Sequence, residues 1–166
     1  DSVFVSGNWT PTVHLASQSG NKLRYDSTSD TFLPDLSRQA ENVIGSANGS
    51  FTLKKSLEEG FNSGFNVSHK ITGTSNRTSI PISDEKNYGS HDKFWCMPLP
   101  NNKHFKRFLD FQNDVAVSDI QLAVQEGFRS IEHVKRYTTL GMATDQGKTS
   151  NLNGLQMVSD IEKKIV

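Results

Sequence analysis

Apolar residues recur at helical spacing in the middle of the chain. Four of them follow at four-residue steps, which predicts one face of an amphipathic helix: Leu53, Leu57, Phe61 and Phe65. Ser50 precedes this run and is predicted to cap the helix. Gly60 and Gly64 lie beside the apolar face. Because glycine is unfavourable inside a helix, this pair predicts close packing against a neighbouring sheet or helix.

Shorter apolar runs before this helix predict strands at residues 3–5 and 11–18, and a buried strand at Val43 and Ile44. Residues 45–49 then read as a glycine-rich turn. In a strand–turn–helix arrangement, the free N–H groups of the helix start lie at the end of the strand. These N–H groups and the positive end of the helix dipole can bind an anion. In the alternative interpretation the glycines serve the turn alone, since the spacing is not G-x-G-x-x-G.

The last third of the chain predicts three helices, entered by an extended segment at residues 106–115. Ser118 caps the first in a capping box with Gln121, Ser130 caps the second, and Gly141 ends it. Thr149 or Ser150 caps the third. The predicted buried faces contain Ile120, Ala123, Val124, Phe128, Ile131, Val134, Leu140, Leu152, Leu155, Val158, Ile161 and Ile165. Residues 72–93 are polar without a period, and residues 94–100 are predicted to lie extended across another surface.

The polar stretch at residues 135–149 combines cations, threonines and glycines with little apolar material. Hydroxyl groups and glycines before a helix start favour a phosphate-binding loop, with Lys148 and Thr149 nearest that start. The alternative is a polar connection between helices, in which Lys135 and Arg136 suit the carboxyl end of the helix dipole. The stretch is not a Walker A loop, because that spacing requires glycine where Met142 stands.

Composition narrows the function classes. The chain has 166 residues, 18 cationic and 18 acidic, so net charge gives no argument for nucleic acid or an anionic membrane as partner. A hydrophobic fraction of 34% is small for this length and suggests either two small cores or a piece that normally buries one face against another surface. One cysteine, Cys96, allows no internal disulfide and favours the cytoplasm. Five scattered histidines show no catalytic or zinc-binding arrangement.

The segment "DFQNDVAVSDIQLAVQEGFRSIEHVKRYTTLGMATDQGKTSNLNG", residues 110–154, resembles the alpha subunit of heterotetrameric sarcosine oxidases. Residues 6–26 and 44–60 are similar to the end of the NAD-binding domain of that family. The resemblance implies an α/β part followed by a small all-α part. Residues 1–71 would be the C-terminal portion of a dinucleotide-binding (FAD/NAD-type) domain, 72–100 a linker, and 101–166 a small helical domain.

The helical domain also resembles the [2Fe-2S] domain of bacterioferritin-associated ferredoxins. The four cysteine positions of that family fall on Asp110, Gln112, Asp145 and Ser150, the last approximately. Because a cluster of this kind is held by thiolates or close substitutes, the resemblance implies a scaffold without an iron–sulfur cluster.

The resemblance implies a complex that demethylates sarcosine oxidatively to glycine and produces hydrogen peroxide and formaldehyde or methylenetetrahydrofolate. The alpha subunit would hold NAD, the beta subunit FAD, and FMN would lie between them, with gamma and delta subunits as further partners. This segment would be non-catalytic. Its implied NAD contacts are Ser46, Ala47, Phe51, Thr52 and Leu53. We expect the FMN interface at Arg136, Thr138, Thr139, Gln146, Lys148 and Thr149, because these residues carry donors that suit a phosphate.

Three alternatives stay open. The first is the corresponding subunit of N-methylglutamate dehydrogenase, which shares this architecture. The second is a purely structural module that joins subunits and contacts no cofactor. The third is a metalloprotein that uses Asp110 and Asp145 as oxygen ligands.

Overall fold

The computed structural model describes residues 9–73, 79–80, 95–99 and 105–164. The chain divides into two compact units, residues 1–90 and residues 91–166, and both contain helices and short antiparallel strands. The predicted strand at residues 3–5 and the predicted core residue Ile165 lie outside the described residues, as does most of the polar segment 72–93.

The first unit begins with a short helix and a hairpin. Helix α1 covers His14–Gln18, and strand β1 (Leu23–Asp26) pairs antiparallel with β2 (Thr31–Pro34). The strand predicted at residues 11–18 is therefore wrong. Only Ala16 of α1 is buried and Leu15 is 79% exposed, so the segment lacks the alternating burial that a half-buried strand requires.

The segment before the long helix differs from its prediction in two places. Ile44 is extended but exposed and forms no strand, and a 3-10 helix follows at Gly45–Asn48. The cap of the long helix is Thr52, whose Oγ1 accepts a hydrogen bond from Lys55 N at 3.3 Å. Ser50, the predicted cap, is buried and donates its hydroxyl to Glu59 instead. Both predictions were wrong because short apolar and serine signals serve strands, turns and caps alike.

The predicted amphipathic helix is confirmed as α2, Leu53–Thr72. Its aromatic residues contact one another along one face, with ring centroids of Phe61 and Phe65 6.5 Å apart. No residue of α2 is buried. Among the described residues, the close packing predicted at Gly60 and Gly64 is absent, since a Cβ at either position would meet no described atom within 4 Å.

The second unit contains a two-stranded sheet and three helices. Strand β3 (Phe108–Asp110) pairs antiparallel with β4 (Val115–Ala116). Helix α3 (Val117–Gln125) packs against both α4 (Ile131–Thr138) and α5 (Asn151–Glu162), which confirms the three predicted helices. The buried core comprises Leu109, Val115, Val117, Ile120, Ala123, Val134, Leu140 and Val158.

The helix ends in this unit agree with the sequence only in part. Helix α3 starts one residue before the predicted cap Ser118, and Asp119 Oδ2 accepts the N–H of Ala116 at 2.8 Å. The predicted box with Gln121 is therefore wrong, because the carboxylate at the third helical position takes the free N–H first. Ser130 and Ser150 occupy the N-cap positions of α4 and α5. Helix α4 ends with Thr139 in the left-handed conformation, two residues before the predicted stop.

Candidate functional site

Two neighbouring loops of the second unit carry most of the residues selected from the sequence. We call them the 110–114 turn, between β3 and β4, and the 139–150 loop, between α4 and α5; together they are the loop pair. Asp110 joins the two loops. Its side chain is 2% exposed and accepts four hydrogen bonds: Gln112 N at 2.9 Å, Asn113 N at 3.1 Å, Gly141 N at 2.7 Å and Ser150 Oγ at 3.4 Å.

Two further side-chain contacts connect the loops. Thr144 Oγ1 donates to Gln112 Oε1 at 2.8 Å, and Asn113 Nδ2 donates to the carbonyl of Thr139 at 2.8 Å. The structure thus brings Ser150 to Asp110 across 40 residues of sequence, and Gln112, two residues after Asp110, bonds to the same carboxylate through its backbone N–H.

Asp145, the fourth of the positions selected by resemblance, bonds within its own loop. Its Oδ1 accepts the N–H of Gly147 at 3.1 Å, and its Oδ2 accepts both the N–H and the hydroxyl of Thr149, at 3.1 and 2.6 Å. These bonds, the Thr149 hydroxyl first, hold the pKa of Asp145 below its ordinary value. The donors of the loop therefore favour the ionised form of the Asp145 carboxylate, which lies within the same loop.

The backbone N–H groups of the 139–150 loop are largely used inside the loop pair. Gly141 donates to Asp110, and Gly147 and Thr149 donate to Asp145. Leu140 donates to the hydroxyl of Thr138. Internal carbonyls accept the N–H groups of Met142, Gln146, Lys148, Ser150 and Asn151. An anion-binding loop presents free N–H groups, and most of those in this loop have an internal acceptor. Side chains would therefore supply most contacts to an external phosphate here.

The predicted FMN-facing residues fall into two groups by what their side chains do. The hydroxyl of Thr138 donates to the carbonyl of Val134 at 2.8 Å, and that of Thr149 donates to Asp145. The remaining residues are exposed and include both cations: Arg136, Thr139, Gln146 and Lys148. The second group could therefore contact a phosphate through side chains.

The backbone of the 139–150 loop is confined to one shape. Gly141 and Gly147 have φ values of 67° and 75°, and a Cβ at either would collide with the amide of Asn151. Thr139 and Gln146 are also left-handed, at 63° and 54°. Asn151 Oδ1 is buried with no hydrogen-bond partner among the described residues, and its amide occupies the space that a Cβ at either glycine would need.

Two exposed apolar side chains flank the bond between Asp110 and Gly141. Phe111 is 80% exposed and Met142 is 58% exposed. Phe108 contacts Phe111, with ring centroids 6.2 Å apart. Exposed aromatic and methionine side chains are enriched at protein interfaces. Sequence reasoning missed these residues, although an apolar residue beside each of two polar turns was the available signal.

The five predicted NAD contacts lie around the start of α2. Ser46 and Ala47 belong to the 3-10 helix, Phe51 and Leu53 are exposed, and Thr52 caps α2. Glu59 ties this region to the helix, because Gly45 N donates to its Oε2 at 2.7 Å and Ser50 donates its hydroxyl to its Oε1.

An open groove of about 430 Å³ lies beside this region. Amides, hydroxyls and carboxylates dominate its lining, including Asn42, Asn48, Glu59, Asn62 and Asn66. None of the five predicted NAD contacts and no lysine or arginine appears among its described lining residues. The groove escaped prediction because asparagines one turn apart on α2 are typical of any solvated helix face.

Two broader features are absent from the described part of the chain. No helix there has both the length and the apolar character of a membrane span. Nor does any set of three or more His, Cys, Asp and Glu side chains in that part group as metal ligands would.

Comparison with known proteins gives consistent matches. A family model described as "Sarcosine oxidase A3 domain" matches residues 104–166. The chain is 34% identical over 160 residues to a sarcosine oxidase subunit alpha of Rhizobium meliloti, covering 96% of this chain and 16% of that protein. It is 30% identical over 165 residues to the same subunit of Corynebacterium sp. strain P-1, covering 97% and 17%.

These matches extend over both units of the chain, and the chain spans about a sixth of the length of these relatives. The resemblance inferred from residues 110–154 is thereby confirmed. The chain belongs to the family of sarcosine oxidase alpha subunits.

Proposed function

We propose that this chain is a non-catalytic, cofactor-supporting segment of an alpha subunit in a cytoplasmic sarcosine oxidase complex. The complex demethylates sarcosine to glycine and forms hydrogen peroxide and formaldehyde or methylenetetrahydrofolate. The relatives, which are named as alpha subunits of sarcosine oxidase, match nearly the whole chain and support this proposal. Their names favour it over an N-methylglutamate dehydrogenase subunit.

The second unit, in this proposal, forms part of the interface with a beta subunit that holds FAD, and FMN lies at that interface. The structure of the loop pair is the main support for this proposal. Its backbone is held in one conformation by internal hydrogen bonds, while Arg136, Thr139, Gln146 and Lys148 remain exposed beside it. Pre-organised cations and donors suit the phosphate of FMN, which they would contact through side chains.

The first unit, in the same proposal, contributes part of an NAD pocket at the 3-10 helix and the start of α2. The exposed side chains of Phe51 and Leu53 can pack against an apolar ring face, and Ser46 can donate a hydrogen bond. The described residues of the neighbouring groove include carboxylates and no cation, so they suit neutral hydroxyl and amide groups better than a pyrophosphate.

The test of FMN support is a double variant, Arg136→Ala with Lys148→Ala, made in the full-length subunit and purified as the complex. We expect the bound FMN to fall severalfold, because two charge-assisted contacts to the phosphate are removed. Flavin released by denaturation and separated by chromatography measures FMN and FAD independently. The control is Lys22→Ala with Lys55→Ala, two exposed cations of the first unit. Normal FMN content in the test variant would contradict FMN support.

A second candidate is a structural module that joins subunits without contacting a cofactor. Two observations favour it: most backbone donors of the 139–150 loop are bonded internally, and Phe111 and Met142 are exposed beside them. Gamma and delta subunits or the remainder of the alpha subunit would then be candidate partners alongside the beta subunit. Phe111→Ser with Met142→Ser would weaken subunit association at unchanged FMN per assembled complex, measured by native mass spectrometry.

A further inference from the structure

The geometry of the loop pair points to Asp110 as a positioning residue. We propose that its carboxylate is a built-in anion that holds the 110–114 turn and the 139–150 loop in the shape that their exposed side chains require. This inference rests on the proposed function, because it concerns the same surface. It goes further by assigning the conformation of that surface to one buried charge.

The four donors to Asp110 have two different origins. Gln112 N and Asn113 N belong to the turn that follows Asp110 directly, and both bond to Oδ1. Such local bonds are common after aspartate and fix the orientation of its side chain. Gly141 N and Ser150 Oγ belong to the other loop, 31 and 40 residues away, and both bond to Oδ2. One carboxylate therefore spans the two loops with one oxygen for each.

A carboxylate is well suited to this position among the common side chains. Ionised, it is an acceptor at both oxygens and can serve all four donors, whereas an asparagine amide would direct N–H groups at one pair of them. Bonds from neutral donors to a charged acceptor are also stronger than those between neutral groups. The side chain is 2% exposed, so water competes little for these donors.

The bond from Gly141 to Asp110 sets the position of the exposed surface. Phe111 follows Asp110 directly and Met142 follows Gly141 directly, so the two exposed side chains flank this bond on opposite loops. Thr139, whose carbonyl accepts from Asn113 at 2.8 Å, joins the same region to the end of α4, where Arg136 lies. Removal of the carboxylate would loosen both loops, because the exposed bonds from Thr144 to Gln112 and from Asn113 to Thr139 would then have to hold them together.

This arrangement suggests a chemical rescue experiment on the full-length subunit in its complex. Asp110→Ala removes the carboxylate and leaves four donors around a cavity that formate can enter. Hydrogen exchange of the peptide covering residues 139–150 is followed by mass spectrometry, without and with formate, and with chloride at equal ionic strength as the control. Asp110→Asn, which retains the side-chain volume, serves if the alanine variant does not fold.

We expect exchange at Gly141 to become about tenfold to a hundredfold faster in Asp110→Ala, since a bond to a charged acceptor is lost. Formate should restore most of the protection and chloride should not. Asp110→Asn should also exchange faster. The matched control is Asp114→Asn, which removes an exposed charge from the same turn at a left-handed residue where asparagine is well tolerated.

Unchanged protection of residues 139–150 in both Asp110 variants would overturn the inference, and so would equal recovery with formate and chloride. FMN content and subunit association are measured on the same samples. If the loop opens and formate closes it while both quantities stay normal, Asp110 is confirmed as the positioning residue and the proposed function of the surface is wrong. The two ideas can therefore fail separately.

Discussion

Helices α2 and α3 are both amphipathic, but they bury their apolar faces to very different extents. Helix α3 buries three of its nine residues, Val117, Ile120 and Ala123, between α4 and α5. Helix α2 has 20 residues and buries none of them. Sequence periodicity therefore predicts that a helix forms, whereas the extent of burial depends on whether another element covers its face.

The glycines show the same contrast. In α5, a Cβ at Gly154 would collide with the buried side chain of Leu140, so close packing requires the glycine. In α2, a Cβ at Gly60 or Gly64 would find open space among the described residues. The same residue type is thus a packing requirement in one unit and a conformational cost in the other.

The largest expected difference between the units concerns truncation of apolar side chains. Ile120 is 0% exposed, so Ile120→Ala should reduce the free energy of unfolding by about 2–5 kcal/mol. Leu53→Ala, on the exposed face of α2, should change it by about 0.5 kcal/mol or less. Urea unfolding followed by circular dichroism measures both, and similar losses would remove the contrast between α2 and α3.

The next largest difference in stability is expected from replacing glycines by alanine. Gly154→Ala should destabilise the chain by about 1–3 kcal/mol, because Leu140 is fully buried and has little room to move. Gly60→Ala and Gly64→Ala should each stabilise it by about 0.5–1 kcal/mol, through helix propensity and a less flexible unfolded state. Thermal unfolding distinguishes these signs. A loss of stability at Gly60 would mean that α2 packs closely after all.

Removal of a bond at a helix start should lower the free energy of unfolding by about the same amount in both units, because such bonds are local. Thr52→Ala removes the acceptor for Lys55 N, and Asp119→Ala removes the acceptor for Ala116 N. We expect a loss of about 1 kcal/mol in each case, measured by urea unfolding. Ser118→Ala is the control, because Ser118 does not cap α3. Unequal losses would show that burial also sets the energy of the caps.

The smallest effect concerns two carboxylates held by hydroxyls, one in each unit. Hydrogen bonds from Ser29 and Thr149 lower the pKa of Asp26 and of Asp145, respectively. A lowered pKa in the folded state stabilises folding above the ordinary aspartate pKa, and this contribution disappears as the pH falls through the folded-state pKa.

Ser29→Ala and Thr149→Val should therefore raise the pKa of the neighbouring aspartate toward its ordinary value in both units. NMR titration of the carboxyl carbons checks this shift. Thr144→Val is the control, because its hydroxyl bonds to Gln112 rather than to Asp145. No shift at Asp145 would contradict the assigned cause.

Elements with a long apolar pattern were predicted correctly from the sequence, whereas elements indicated by only a few residues were not. Helices α2 to α5 carry long apolar periods and were predicted from them, whereas the five residues of α1 resembled a strand. The cap of α3 was misplaced because Ser118 and Gln121 imitate a capping box that Asp119 supplies in fact. Short signals fail where two local arrangements are nearly equal in energy.

The candidate site was only partly predictable for a different reason. Sequence reasoning selected Asp110, Gln112 and Ser150 through a family resemblance, and the structure brings them together. It did not predict that Asp110 would be buried with four donors, because two of these lie 31 and 40 residues away. Nor did it predict which donors of the 139–150 loop stay free, since a donor looks the same in sequence whether it is bonded or exposed.

The separation between Asp110 and its distant partners also has a consequence for how the second unit folds. Helices form from contacts within a few residues, whereas the bonds to Gly141 and Ser150 require closure of segments of 31 and 40 residues. We expect the helices to organise before these bonds form, so that the rate-limiting barrier is crossed with the two loops still apart. Changes at Asp110 would then accelerate unfolding and leave the folding rate almost unchanged. A single carboxylate would govern how long the surface lasts once it has formed.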